Sequence, residues 1–195
     1  MASGAGGASR ELRSYLPPWR IDATVRPGVR VPRGTRRLAR AAADALAAAG
    51  APAPASLGLI LSDDRELRRL NRRAMGGSGA TDVLAFPLLS PNAFPPHHGQ
   101  DPTARTPSAE PPYAGPPGRR PHLGDVVVSV QRAAAQAAGG RGGQTGDVRW
   151  SEADELRLLV VHGTLHVCGW DHAREPEEAA MRELERRVLG VAVPR

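Results

Sequence analysis

The sequence predicts a single α+β domain: a small, mixed four-stranded sheet packed with helices, with a metal site on one helix and the turn after it. Three observations carry this. Four short apolar or alternating runs are interleaved with stretches of helical periodicity, which favours a layered sheet with helices over an all-helical or all-β chain. A length of 195 residues with 41% apolar content suits one domain around one core. His162, His166 and His172 stand in the run VVHGTLHVCGWDH at the spacing H-x3-H-x5-H.

Taken in chain order, residues 1–18 are rich in small residues and poor in acids and read as a disordered tail, so the folded domain is expected over 19–195. Trp19 to Val25 alternates apolar and polar residues as a half-buried strand does, and an Ala-rich helix is expected from about Arg36 to Ala49. Leu57 to Leu61 is a second strand. Ser62 then caps a helix running through Leu67 and Leu70 to about Arg73, broken by the run Met75-Gly76-Gly77-Ser78-Gly79. Thr81 to Pro87 is a short strand ended by proline. Between about 89 and 121 the composition turns to Pro, Gly, Ala and His with few aliphatic residues, which predicts a flexible insertion with His97 and His98 solvated.

Leu123 to Val130 is the most buried of the expected strands, followed by a helix from Gln131 to Ala138 and a glycine-rich loop from Gly139 to Gly146. Ser151, with Asp154 three residues on, is a good N-cap for the histidine-bearing helix, whose Leu156, Leu159, Val160, Gly163 and Val167 follow helical periodicity. A last helix from about Glu177 to Leu189 carries the stripe Met181, Leu184, Val188 and stops at Gly190.

Composition narrows the function classes. The net charge of +6 comes from arginine, since the chain has no lysine, and nine arginines face three acids in the first 50 residues. Such an excess favours a polyanionic partner, with nucleic acid the natural candidate. No apolar run approaches the roughly 20 residues that span a bilayer, and the N-terminus lacks the apolar stretch of a secretory signal, so a soluble, cytoplasmic protein with no membrane partner is expected. The single cysteine, Cys168, excludes an internal disulfide; two positions after His166 it falls off that helix face, where packing rather than ligation is its expected role.

The histidine spacing has a direct chemical meaning. Residues four apart on a helix share a face, so His162 and His166 present two imidazoles to one point. Gly169 can adopt the left-handed conformation that ends a helix and turns the chain, bringing His172 back toward the pair. Three nitrogen ligands with a fourth position left to water is the arrangement of a catalytic zinc, one ion per chain, whereas structural zinc takes four protein ligands. Asp171 reads as a residue that orients a ligand or serves as an acid/base, with capping of the Gly169 turn its simpler role, and Asp82 and Asp125 read as turn or ligand-orienting residues. The stretch from His166 to His172 also matches the second half of a metalloprotease signature. Those proteases need glutamate directly after the first histidine as general base, and Gly163 stands there.

HGTLHVCGWDH, TDVLAFP and LGDVVVSV resemble the YbeY-type endoribonucleases that mature ribosomal RNA. The family pattern H-G-x-L-H-L-x-G-Y-D-H is met with Val167 for leucine and Trp170 for tyrosine, and the resemblance extends from about Trp19 to Val193 apart from the insertion. It implies a zinc held by His162, His166 and His172, single-stranded RNA as substrate, maturation of the 3′ end of small-subunit rRNA, and the small ribosomal subunit as partner in ribosome biogenesis. One departure stands out: Leu70-Asn71 is followed by Arg72, Arg73, Ala74 and Met75, which places Met75 where the family carries an RNA-contacting arginine. A thioether cannot hold a phosphate, so Arg72 and Arg73 become the RNA-binding candidates, and no catalytic group beyond the metal-bound water is assigned. The alternative is a catalytically weak or inactive ribosome-assembly or RNA-binding metalloprotein.

Overall fold

A computed structural model of the chain describes residues 7–74, 76, 81–101, 120–139 and 150–190. Strands β1 (Arg10–Leu16), β2 (Trp19–Val25), β3 (Ala55–Ser62), β4 (Val83–Pro87) and β5 (His122–Ser129) alternate with helices α1 (Thr35–Ala48), α2 (Asp64–Ala74), α3 (Val130–Ala138), α4 (Glu152–Val167) and α5 (Glu175–Leu189). The strands form one mixed sheet in the order β1-β2-β3-β5-β4. β2, β3 and β5 are parallel to one another, while β1 and β4 pair antiparallel at the two edges.

The sheet therefore has five strands where the sequence predicts four. The extra one, β1, lies within the segment expected as a tail. It pairs with β2 along its whole length, from Arg10 opposite Val25 to Leu16 opposite Trp19, and Leu12 and Leu16 pack against the core. An edge strand draws its stability from one backbone ladder, so RELRSYL needs little apolar alternation of its own.

Alternation across the strands separates two layers, because successive side chains point to opposite faces. On one face the central helix α4 packs on β4 and β5, and α1, α3 and α5 pack around α4. Ile21, Leu57, Leu59, Leu61 and Leu123 meet Leu156, Leu159 and Leu165 there, all at most 1% exposed. On the other face, among the described residues, α2 sits over the β4–β5 end, with Leu67 packed among Leu84 and Val127 and flanked by Ile60, Leu70 and Phe86. No helix among the described residues is long and apolar enough to cross a membrane.

The Pro-rich stretch starts differently from the flexible insertion the sequence predicts. Ser90 caps a 3-10 turn at Pro91–Ala93, and Phe94 is buried in the main core at 3% exposure. Residues 102–119, the bulk of that expectation, lie outside the described residues, as does the Gly139–Gly146 loop beyond Gly139.

Candidate metal centre

Helix α4 begins with a reciprocal capping box. The Ser151 side chain accepts from the Asp154 backbone, and the Asp154 side chain accepts from the Ser151 backbone, as the sequence predicts. The helix is buried on nearly every side, and His162 and His166 occupy its partly open flank. Gly163 between them lets the helix approach the sheet: a Cβ there would stand 2.6 Å from Val126 Cγ1 and 2.8 Å from Val83 Cγ2. A glutamate at this position, the base of the protease signature, would point into those valines rather than toward the imidazoles.

The helix ends in a paired turn. Trp170 N donates to Leu165 O at 3.1 Å and Gly169 N to His166 O at 3.0 Å, with Gly169 left-handed at φ 84°. This two-bond ending is what a glycine just past a helix makes available. It reverses the chain and brings His172 to the flank. The three imidazoles then gather, with ligand nitrogens all within 4.8 Å of one another. The His172 ring centroid lies 5.5 Å from that of His162 and 5.0 Å from that of His166.

Hydrogen bonds decide which nitrogens are offered. His166 Nδ1–H donates to the Trp170 carbonyl at 2.8 Å, and His162 Nδ1–H donates to Glu185 Oε1 at 2.7 Å. In the neutral tautomers that these bonds select, both Nε2 atoms carry lone pairs, and the two atoms stand 3.0 Å apart. A tetrahedral zinc with Zn–N of about 2.0–2.1 Å sets its nitrogens about 3.4 Å apart, so this pair suits such an ion. Burial, then the neighbouring His162 and His172, push the pKa of His166 from 6.5 down to about 4, which keeps its ring neutral and able to ligate at neutral pH. The donor set and its tautomers fit a divalent, imidazole-binding metal.

Glu185 is the residue that sequence reasoning misses. It comes from α5, is 4% exposed, and sits four residues after Met181 on the stripe that faces the core. A carboxylate on a buried stripe needs a partner, and that misplacement was the available signal.

Other expected residues fall elsewhere. Cys168 is 1% exposed, and burial raises its thiol pKa, which suits packing rather than thiolate ligation. The Asp171 side chain accepts from His172 N at 2.7 Å, the turn role. Asp82 accepts from Val83 N and from Gln136 Nε2, and Asp125 pairs with His122 at 3.1 Å, its hydrogen bond raising the His122 pKa. Arg72 and Arg73 are exposed on the last turn of α2, on the sheet face opposite α4, and Met75 lies outside the described residues. His98 is exposed as expected, but His97 is not: its side chain is 6% exposed and donates to Glu177, which corrects the solvated reading.

A sequence model of the family described as Endoribonuclease YbeY matches residues 29–192. The Endoribonuclease YbeY of Salinispora tropica is 40% identical over 135 residues, which are 69% of this chain and 73% of that protein. That of Chloroflexus aurantiacus is 37% identical over 153 residues, 78% of this chain and 82% of that protein. That of an Anaeromyxobacter species is 36% identical over 165 residues, 83% and 68% of the two chains.

Proposed function

The chain belongs to the endoribonuclease YbeY family, and from that premise we propose that it is a zinc-dependent endoribonuclease cutting single-stranded RNA in ribosomal RNA processing, at the 3′ end of the small-subunit rRNA, within cytoplasmic ribosome biogenesis. The observation that carries the metal part is the 3.0 Å approach of the two Nε2 atoms, with each Nδ1 in hydrogen-bond contact with an oxygen acceptor elsewhere. His162, His166 and His172 are the residues that would hold the ion. When bound, zinc supplies Lewis acidity toward a phosphate ester and toward water. Glu185, by accepting the hydrogen bond from His162 Nδ1–H, fixes that ring's tautomer and strengthens its ligating nitrogen as a donor to the metal. The Trp170 carbonyl does the first of these for His166.

Substrate binding falls to cations. Helix α2 carries Arg65, Arg68, Arg69, Arg72 and Arg73, and guanidinium groups suit phosphate. Both α2 and α4 pack on β4 and β5 from opposite faces, and β4 is the sheet edge. An RNA strand that touches Arg72 or Arg73 and also reaches the metal centre therefore passes around that edge.

The test is cleavage of a single-stranded RNA carrying a small-subunit rRNA 3′ end by zinc-loaded protein, beside chelator-treated protein and His166→Ala. Cuts that vanish in both controls are the expected result. Met75 at the position of the family arginine favours a second reading, a ribosome-assembly protein that binds RNA and zinc without turnover; zinc-loaded protein that binds the RNA and leaves it intact would select it.

A further inference from the structure

The start of the Pro-rich stretch is a strap laid across the metal turn. Phe94 anchors it in the core. Pro91 abuts the turn glycine, so that a Cβ on Gly169 would lie 3.4 Å from Pro91 Cα. His97 lies flat on Trp170, with ring centroids 3.9 Å apart and planes 12° from parallel. Its Nε2–H donates to Glu177 Oε1 at 2.6 Å, and the same oxygen accepts from Asp171 N at 3.0 Å. Gly99 closes the strap on the first turn of α5, where a Cβ would stand only 2.3 Å from Glu177 N.

These contacts converge on Gly169, Trp170 and Asp171, which lie between two of the three ligands. Trp170 supplies the carbonyl that holds the His166 tautomer, and Asp171 precedes His172. His172 itself is exposed and follows the end of α4, so the helix alone does not fix it. Glu177, at 3% exposure, is a buried carboxylate whose partners are His97 on one side and the turn backbone on the other. The remaining ring nitrogen of His97, Nδ1, is buried without a hydrogen-bond partner among the described residues, so the ring's bonding is directed wholly at Glu177.

We propose that His97 is a positioning residue of the metal centre: through its stack on Trp170 and its bond to Glu177 it fixes the 169–172 turn, and with it the orientation of His166 and the placement of His172. The inference rests on the reading that the three histidines hold a metal. It assigns the first residues of the Pro-rich stretch, 91–99, a task that composition alone does not suggest. Groups that support metal ligands indirectly alter affinity about 10- to 100-fold when removed, and His97 stands one step further out, so an effect on the order of tenfold is expected.

The experiment compares full-length wild type, His97→Ala, His97→Gln and His166→Ala. For each, the zinc dissociation constant is measured by chelator competition, the visible spectrum is recorded after cobalt loading, and the melting temperature is taken after chelator treatment. His97→Ala should weaken zinc about tenfold and change the cobalt spectrum, and His97→Gln, which keeps a donor for Glu177, should recover part of the affinity. Wild-type affinity and an unchanged cobalt spectrum in His97→Ala would overturn the proposal, even if its chelated form melted lower, because His97 would then serve packing alone. If wild type bound no zinc, or His166→Ala bound it equally well, the metal-centre reading would fail first and take this inference with it.

Discussion

The surroundings of His166 suit it to hold a metal. Its low pKa keeps it neutral, and the Trp170 carbonyl holds the one proton that must be kept off the ligating nitrogen. His162 reaches the same tautomer by a different partner, the buried carboxylate of Glu185. That charge is a lever: Glu185→Gln keeps the shape but removes the anion, and zinc affinity should fall about 10- to 100-fold in a chelator competition. Unchanged affinity would mean that the 2.7 Å contact does not tune the site. The three histidines are legible in the sequence because their spacing is local, set by one helical turn and one glycine. Glu185 is 23 residues from His162 and His97 is 80 from Glu177, and only the tertiary packing of α5 joins them. The trace both leave in the sequence is a pair of glutamates, Glu177 and Glu185, each four residues from Met181 on a stripe that should be apolar.

Beside the packing of Leu67, one carboxylate of helix α2, Glu66, binds it to the sheet through several hydrogen bonds. Arg26, just past β2, donates to Glu66 through Nε at 2.9 Å and Nη2 at 3.0 Å, and Ser62 at the end of β3 donates to the same group. Burial alone would raise the Glu66 pKa, but the bonds from Ser62 and Arg26 outweigh it and hold the pKa below its ordinary 4.5. A depressed carboxylate pKa means that the folded state favours the ionised form. The stabilisation is therefore complete above the unfolded value and is lost as pH falls through the folded one. Glu66→Gln should cost about 1–3 kcal/mol at pH 7, and its melting temperature should converge with that of wild type as the pH is lowered below about 4. A difference that persisted into acid would assign the effect to packing. At this scale most of the fold was legible: Trp19–Val25 was expected with its observed bounds, and the helix bearing the metal motif begins after the Ser151 cap as read. The edge strand β1 was not, because its register is dictated by β2 and its own residues are mostly polar. Nor was the packed start of the Pro-rich stretch, since composition averages over a segment while Phe94 and His97 act as individual anchors.

Across the whole molecule, the sheet separates two kinds of chemistry. One face carries α4 with the converging histidines, the other carries α2 with its five arginines, and both meet at the β4 edge. The net charge of +6 was readable as a preference for polyanions, but its division between the faces depends on strand order, which sequence does not state. The reading of this chain as a zinc nuclease stands on the histidine centre, so the most direct measurement is X-ray absorption at the zinc edge of zinc-loaded protein, together with its metal content. The expected result is one zinc per chain in a shell of three imidazole nitrogens and one further light atom, with Zn–N of about 2.0–2.1 Å. A sulfur at about 2.3 Å, which would bring Cys168 into the shell, or a zinc without imidazole scattering, would contradict it.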